Sequence, residues 1–318
     1  MSIVVTGATG ALGRLVVEEL LATVPASGIA AVVRDEAKAA PLAARGIELR
    51  VADYDRPESL KDAFRAGDRV LLVSGSEVGR RVPQHTAVID AAKAAGVAQL
   101  AYTGVLGGPD ADFQLAAEHK VTEQLILDSG LPHTFLRNGW YTENYTANLA
   151  PVLEHGAVVS NAGDGRVASA TRADYAAAAA AVLTGEGHIG AVYELSGDVA
   201  WSFAEYAAAV AAATGKEIEY KNVPAAVHQE ILVGAGLPEG FAAILVDVDE
   251  AIERGLLATT SGDLARLIGR PPTPRPSRVP GGVPGATHRP PPPRAPVFLT
   301  LSRSAIPTGP YLELPSCS

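Results

Sequence analysis

The chain has 318 residues, of which 47% are hydrophobic and 19% charged, and its formal net charge is −9. This length predicts one large domain, or a domain with an appendage, with ample apolar material for a core. The negative charge argues against a general nucleic-acid or membrane-surface binder, since phosphate binding needs a positive surface. A small anionic cofactor held locally remains compatible with it.

A few local features of the sequence indicate the cellular compartment and exclude some kinds of metal site. The one cysteine, Cys317, excludes a disulfide framework or a cysteine-based zinc site within one chain, and we assign no metal ligands. No apolar run reaches the roughly 18 residues that a membrane span needs. No basic segment precedes Ile3, so we expect no signal peptide and a cytoplasmic protein.

The N-terminus carries the strongest pattern. A β-branched apolar run over 3–5 predicts a buried parallel strand, Gly7, Gly10 and Gly13 follow, and a helical period begins near Leu12. Strand, glycine loop and helix together open a dinucleotide-binding unit. Gly7 permits a tight turn, Gly10 lets the backbone approach a pyrophosphate, and Gly13 lets the helix pack closely. The positive end of the helix then faces the phosphates.

Strands and helices alternate along the next 130 residues. Further strands are predicted at 29–33, 47–51, 70–73, 99–102 and 133–136, and helices at 36–44, 57–64, 83–95 and 115–129. This alternation predicts an α/β fold with a Rossmann-type, doubly wound parallel sheet. Right-handed crossovers place the loops that follow the strands at one edge, where ligands bind.

After residue 137 the rhythm changes. Strands are predicted at 158–170 (with a glycine turn), 192–195 and 217–220, and helices at 172–183, 202–214, 225–233, 239–250 and 261–268. The six alanines at 176–181 indicate a close-packed helix interface. We therefore predict an NAD(P)-binding domain over 1–150 and a smaller mixed substrate lobe over 151–270, interleaved with the first.

Residues 271–318 differ in composition from the rest. They contain 14 of the 23 prolines and five arginines against one acid, Glu313. A proline-rich tract favours extended, solvated chain, so we predict a disordered tail.

Charged residues after two strands bear on the cofactor. Arg34 ends the second strand, where an acid would hold the ribose of NAD and an arginine suits the 2′-phosphate of NADPH. The adjacent Asp35 weakens this distinction, and a surface salt bridge is the alternative role for Arg34. Asp53 follows the third strand and is placed to accept from an adenine amino group, or simply to form a turn.

Small residues follow the fourth strand. Ser74, Gly75 and Ser76 would let the loop pass close to the cofactor ribose, and an ordinary serine–glycine turn is the alternative. The loop belongs to the same sheet edge as the glycine loop, which favours a role in cofactor binding.

Longer motifs resemble a known family. The runs are 6–10 (TGATG), 24–27 (VPAS), 52–54 (ADY), 76–79 (SEVG), 83–85 (PQH), 101–103 (AYT), 118–119 (EH), 136–141 (LRNGWY), 143–145 (ENY) and 169–175 (SATRADY). They resemble the NmrA-like atypical short-chain dehydrogenases/reductases over about residues 1–270. The chain is most similar to the bacterial type 2 NADPH:quinone oxidoreductases, and the related triphenylmethane reductases share fewer of the runs.

This resemblance implies a fold, a reaction and a set of cofactor contacts. It implies a reductase that uses NADPH and transfers a hydride to a quinone. The residues implied to line the cofactor are Gly7, Ala8, Thr9, Gly10, Ala11, Leu12, Arg34, Ser74, Gly75, Ser76, Asn138, Gly139, Trp140 and Tyr141. The family closes with another helix after 268–271. Here the proline-rich tail replaces that helix, and the abrupt change in composition resembles a change of reading frame. A homodimer contact that uses the helix would be lost with it.

The catalytic group departs from most short-chain dehydrogenases. Those enzymes carry a Tyr-x-x-x-Lys pair. The corresponding helix of this chain lacks the pair and offers His119 and Lys120 instead. We predict His119 as proton donor, with Lys120 or water as rivals and a solvent-facing position as the alternative. Asn138 and Tyr141 would orient the quinone ring.

Two points stay open at this stage. Trp140, Tyr141 and Tyr145 either sandwich a flat aromatic substrate or pack between the lobes. The missing Tyr-x-x-x-Lys pair also permits a redox sensor that binds the dinucleotide without turnover, as NmrA does. A third alternative is a reductase of other flat aromatic acceptors, such as triphenylmethane dyes.

Overall fold

A parallel sheet organises the chain. The computed structural model describes residues 1–147 and 149–273; the predicted tail beyond residue 273 lies outside the described residues. The described strands are β1 Ile3–Thr6, β2 Ile29–Val33, β3 Glu48–Val51, β4 Arg69–Leu72, β5 Gln99–Val105, β6 His133–Asn138, β7 Ala157–Ser160, β8 Arg166–Val167, β9 Val192–Leu195, β10 Trp201–Ser202 and β11 Glu219–Asn222.

Helices connect these strands, most of them where the sequence predicted them, whereas the short helices at 143–146 and 150–155 were not predicted. The described α-helices are α1 Ala11–Leu21, α2 Glu36–Ala43, α3 Arg81–Ala95, α4 Ala116–Ser129, α5 Glu143–Thr146, α6 Ala150–His155, α7 Arg172–Thr184, α8 Phe203–Thr214, α9 Ala225–Gly234, α10 Glu239–Glu253 and α11 Asp263–Ile268. The prediction of an α-helix at 57–64 is wrong in type. Pro57–Asp62 is a 3-10 helix, with i→i+3 hydrogen bonds in place of the i→i+4 bonds of an α-helix.

The main sheet has seven strands in the order β3-β2-β1-β4-β5-β6-β9. Each neighbouring pair is parallel. The chain moves outward from β1 to β3, returns to β4 beside β1, and then moves to the other edge. This reversal creates a crevice at the carboxyl ends of β1 and β4, where ligands of such sheets bind. The predicted Rossmann-type fold is confirmed.

Alternate side chains of β1 enter two separate cores. Ile3 and Val5 pack with α1, α2, α7 and α11 on one face, whereas Val4 packs with α3 and α4 on the other. The alanine run of α7 is largely buried and packs against α1. Small side chains therefore bring these two helices close together behind the glycine loop.

A third core builds a smaller lobe above the carboxyl edge. It joins Val105, the last residue of β5, and Trp140, which follows β6, to apolar residues of α8 and α10. The two-stranded sheets β8–β10 and β7–β11 flank it. Three segments of 151–270, namely α7, β9 and α11, pack instead on the main sheet. The cleft between this lobe and the sheet edge holds five of the predicted site residues, His119 and the four at 138–141.

Candidate functional site: a nucleotide loop and an adjoining cleft

The loop between β1 and α1 has the geometry of a phosphate cradle. Gly7 adopts a left-handed conformation with φ of +58°, and the Gly10 N–H donates to the Gly7 carbonyl at 2.8 Å. The first N–H groups of an α-helix have no partner within it. In α1 no side chain caps them and no acid occupies the first turn. The helix end is therefore suited to an anion.

Close packing explains the third glycine of the loop. An added Cβ at Gly13 would lie 2.3 Å from the Gly7 carbonyl oxygen, a distance that no side chain tolerates. Ala8 and Leu12 are fully buried, so they can offer a ligand only backbone groups. The predicted cofactor residues that are open to solvent in this loop are Gly7, Thr9 and Gly10, with Ala11 half-buried.

Hydroxyl groups join the ends of three neighbouring strands. The Val73 N–H, after β4, donates to Thr6 Oγ1 at 3.1 Å, which links β4 to β1. The Ser74 N–H donates to Thr103 Oγ1 at 2.9 Å, which links β4 to β5. These bonds hold the floor of the crevice where the three loops meet.

Arg34 extends from the end of β2 into solvent. Its side chain is 65% exposed, and Nη1 lies 3.4 Å from Glu77 Oε1. Such an exposed pair contributes little stability. The neighbouring Asp35 is engaged elsewhere, because it caps α2 by accepting from the N–H groups of Ala37 and Lys38. The arginine is therefore the charged side chain at this strand end that a 2′-phosphate can recruit.

Asp53 lies in a turn after β3. Its Oδ1 accepts from the Asp55 N–H at 3.1 Å, and Oδ2 lies 3.6 Å from Arg56 Nε. The turn that the sequence predicted as the alternative is present. The predicted contact of Asp53 with the adenine amino group stays a prediction.

The loop of Ser74, Gly75 and Ser76 passes over a buried histidine. Ser74 is buried and Ser76 exposed. The Gly75 N–H donates to Nε2 of His85 at 3.0 Å, so the ring proton lies on Nδ1 and is donated to Thr122 Oγ1 at 2.9 Å. Burial, aided by the charge of Arg81, lowers the pKa of His85 to about 3. The ring is therefore neutral and supports the loop.

His119 is buried on α4, so the solvent-facing alternative is excluded. It is 5% exposed, and Nδ1 lies 2.7 Å from the Tyr102 hydroxyl. Burial, with smaller contributions from Arg81 and His85, lowers the pKa of His119 well below its usual value. Burial raises the pKa of Tyr102, which keeps its proton. We assign the hydroxyl as donor to Nδ1, which leaves the histidine proton on Nε2.

One cleft brings together five of the predicted residues, His119 among them. It has a volume of about 30 Å³ and is lined by Gly104, Val105, Phe113, Leu115, His119, Asn138, Gly139, Trp140 and Tyr141. Asn138 is buried and its Nδ2 donates to the Tyr141 hydroxyl at 3.3 Å. Among the described residues its Oδ1 has no hydrogen-bond partner. An orphaned acceptor of this kind suits the carboxamide of a nicotinamide.

An ion-pair network fixes the backbone of Asn138. Arg137, one residue earlier, donates to both carboxylate oxygens of Glu123 at 2.9 and 2.7 Å and to Glu194 at 2.8 Å. These hydrogen bonds raise the pKa of Arg137 although burial opposes the shift. The network connects β6, α4 and β9. The network therefore fixes the position of Asn138, which follows Arg137 on β6, relative to His119 on α4.

The three aromatic residues near Asn138 have different positions. Trp140 and Tyr141 line the cleft, and the Arg172 guanidinium stacks 4.6 Å over the Tyr141 ring. Tyr145 instead packs edge-on against Trp201 with ring centroids 4.8 Å apart. Tyr145 thus belongs to the core of the smaller lobe.

The sequence assigned no role to Gly104, Val105, Phe113 and Leu115, which line the cleft. It also assigned none to Tyr102, Arg81 and Glu118, which lie behind the cleft, although Tyr102 and Glu118 stand in motifs that the resemblance used. Arg81 opens α3, which the sequence analysis started two residues later at Pro83. A basic residue in the first turn of a helix opposes the helix dipole, and that anomaly is the signal that would have singled it out.

Two buried histidines of this site, His85 and His119, make stability depend on pH. Both are neutral in the native protein, whereas in the unfolded chain they protonate near pH 6.5. The unfolded state then binds more protons below that pH, so the free energy of unfolding falls as pH falls, by up to about 1.4 kcal/mol per pH unit for each histidine. For His85 this continues towards its native pKa of about 3. Urea unfolding at pH 7 and pH 5 should show the loss, and His85→Gln should make it smaller. An equal loss in the variant would contradict the assignment.

Comparison with known proteins identifies the family. The NmrA-like family model matches residues 1–256. The chain is 50% identical over 271 residues to Quinone oxidoreductase 2 of Escherichia coli K12, covering 85% of this chain and 95% of that protein.

In the part of the chain that the structure describes, no helix could cross a membrane and no group of metal-ligating side chains occurs.

Solved structures agree with this comparison. The crystal structure of the Escherichia coli NADPH-dependent quinone oxidoreductase complexed with NADPH matches with a TM-score of 0.84 and 50% identity, covering 86% of this chain and 96% of that one. The Citrobacter sp. triphenylmethane reductase complexed with NADP(H) matches with a TM-score of 0.83 and 43% identity, covering 86% and 97%. The predicted resemblance is confirmed, and the chain belongs to the NmrA-like family.

Proposed function

We propose that this chain is an NADPH-dependent oxidoreductase that transfers a hydride to a quinone. The observation that carries the proposal is the adjacency of two features at one sheet edge. A glycine loop suited to a phosphate leads into the N-terminus of α1, and a cleft with the buried His119 and Asn138 follows β5 and β6. The 50% identity to a protein named Quinone oxidoreductase 2 supports the same reaction.

The residues present fit the cofactor. The glycine loop would hold the pyrophosphate, Arg34 the 2′-phosphate, and the loop of Ser74 to Ser76 the adjoining ribose. Asn138, with its unpaired Oδ1, would hold the nicotinamide. NADPH, when bound, supplies the hydride, and the protein supplies position and electrostatics.

His119 acts as a neutral hydrogen-bond donor. Its low pKa means that the ring carries one proton at neutral pH, and the bond from Tyr102 places that proton on Nε2. A quinone oxygen becomes negative as it accepts the hydride, and a preorganised N–H donor stabilises that charge. The predicted role is thereby refined from proton donor to hydrogen-bond donor, and solvent completes protonation. Lys120 is only half-buried and does not line the cleft.

The shape of the cleft favours a flat ring. Phe113 and Trp140 form part of its wall, and its volume of about 30 Å³ is the space of about one water molecule. Entry of a quinone therefore requires aromatic side chains to move apart, after which their faces can stack on the ring. Tyr141 and Asn138 would orient it. The cytoplasmic location and the homodimer stay predictions.

The direct test is NADPH oxidation followed by absorbance with a panel of benzoquinones and triphenylmethane dyes, after subtraction of the non-enzymatic rate. We expect turnover with quinones and a preference for NADPH over NADH. His119→Phe should lower kcat about tenfold or more while the Kd for NADPH changes little. His155→Phe, at the end of α6, is the matched control and should retain full activity.

Two outcomes would contradict the proposal. NADPH binding without turnover of any acceptor would indicate a redox sensor. Turnover of dyes with no turnover of quinones would retain a reductase and replace its substrate class.

A further inference from the structure

Arg81 is a buried cation beside the cleft. It is 1% exposed, and its Nε donates to the Gly75 carbonyl at 2.5 Å. Its Nη1 lies 3.7 Å from Glu118 Oε2, which is beyond hydrogen-bond distance. Among the described residues this Nη1 has no hydrogen-bond partner. A guanidinium so placed is costly, because buried charges are normally fully paired.

The position within α3 adds to this cost. Arg81 is the first residue of the helix, where the dipole favours anions. The carboxylate of Glu118 compensates in part, since it accepts from the N–H groups of Gly79 and Arg81 at 3.0 and 3.1 Å. Glu118 precedes His119 on α4. One short segment of α4 thus contacts both the start of α3 and the cleft.

The charge of Arg81 acts on buried groups at and behind the cleft. It helps to lower the pKa of His119 and of His85, after burial in each case. It also opposes the rise in the pKa of Tyr102 that burial causes. The geometry agrees, since the Glu118 carboxylate that Arg81 approaches belongs to the residue directly before His119, although Arg81 lines no part of the cleft.

We propose that Arg81 is a positioning residue for quinone reduction, which tethers the loop of Ser74 to Ser76 and supplies a fixed positive charge behind His119. The inference rests on the proposed function. In the reaction, a C–H bond of NADPH breaks, and its hydrogen and electron pair pass to the quinone. NADPH is oxidised, the quinone is reduced, and its oxyanion takes one proton from water. A buried cation near the His119 donor lowers the energy of that oxyanion.

The test compares Arg81→Met, which removes the charge, with Arg81→Lys, which keeps it but loses the fork of donors. Arg50→Met is the matched control, since Arg50 is also a buried arginine, 2.7 Å from Asp68, and lies on β3 outside the cleft. Steady-state kinetics would use quinones whose hydroquinones differ in acidity. NADPH affinity and thermal unfolding would be measured for each variant.

We expect Arg81→Met to lower kcat about 10- to 100-fold, with the largest loss for the quinones that form the most basic hydroquinones. Arg81→Lys should recover most of kcat, and Arg50→Met should lower the unfolding temperature without lowering kcat. Should Arg81→Met not fold, Arg81→Gln replaces it as the variant without the charge. A steeper dependence on hydroquinone acidity in Arg81→Gln than in Arg81→Lys supports the proposal, and equal dependences overturn it.

A purely structural role predicts another pattern. Equal losses in Arg81→Met and Arg81→Lys, uniform across quinones, would overturn the proposal, as would an unchanged kcat in Arg81→Met. Both results leave the quinone reductase assignment intact. A wild-type protein that reduces no quinone would overturn the two proposals together.

Discussion

Gly10→Trp is expected to abolish quinone-dependent NADPH oxidation while the protein stays folded. Gly10 has φ of −77° and ψ of 174°, an extended conformation that any residue adopts, and it is exposed. The indole would therefore extend into the space in front of α1 that the pyrophosphate needs. We expect NADPH affinity to fall by about 100-fold or more. Titration calorimetry and the absorbance assay would measure the two losses.

Gly10→Ala is the matched control. Its Cβ would lie 3.1 Å from the Gly7 carbonyl oxygen, which a small adjustment of the loop can relieve. The alanine variant should retain most of its NADPH affinity, and both variants should have circular dichroism spectra like that of the wild type. Unchanged turnover in Gly10→Trp would refute the assignment of this loop to the pyrophosphate.

Arg34→Ser is expected to remove the preference for NADPH over NADH. Charge-assisted hydrogen bonds contribute about 1.5–3 kcal/mol each, so kcat/KM for NADPH should fall about 10- to 100-fold. NADH lacks the 2′-phosphate, and its kcat/KM should change little. The ratio of the two values, measured at one ionic strength, isolates the contribution of this contact from any general loss.

Arg45→Ser controls for the loss of one positive surface charge. Arg45 is also exposed and pairs with Glu18, but it lies after α2, away from the crevice. It should leave the ratio of NADPH to NADH activity unchanged. A ratio that falls equally in both variants would show that long-range attraction, rather than contact with Arg34, selects NADPH.

The fold was predictable because the strands of the main sheet correspond to short local patterns in the sequence. The run at 29–33 is apolar throughout, and in the structure each residue of β2 is buried. Such runs are typical of parallel strands covered on both faces. Ends of helices were harder to predict. Pro83 indicated a helix start, since proline favours the first turn, yet α3 begins at Arg81.

The candidate site was predictable only where chemistry is local. The glycine loop depends on neighbouring residues, and its conformation follows from their spacing. The burial of His119 depends on Tyr102, which lies 17 residues earlier on β5. A polar residue on a helix normally indicates a solvated face, and only a partner brought by the tertiary fold reverses that expectation. The contact between Arg81 and Glu118, the residue before His119, could not be predicted from the sequence for the same reason.

The hydroxyl bonds at the crevice floor have a consequence for affinity. Thr6 and Thr103 hold the first residues after β4 from both sides, so the backbone that meets the cofactor is already ordered before binding. Ordering a residue costs about 1–2 kcal/mol of conformational free energy. Here folding has met that cost in advance. A larger share of the contact energy can then appear as affinity for the dinucleotide.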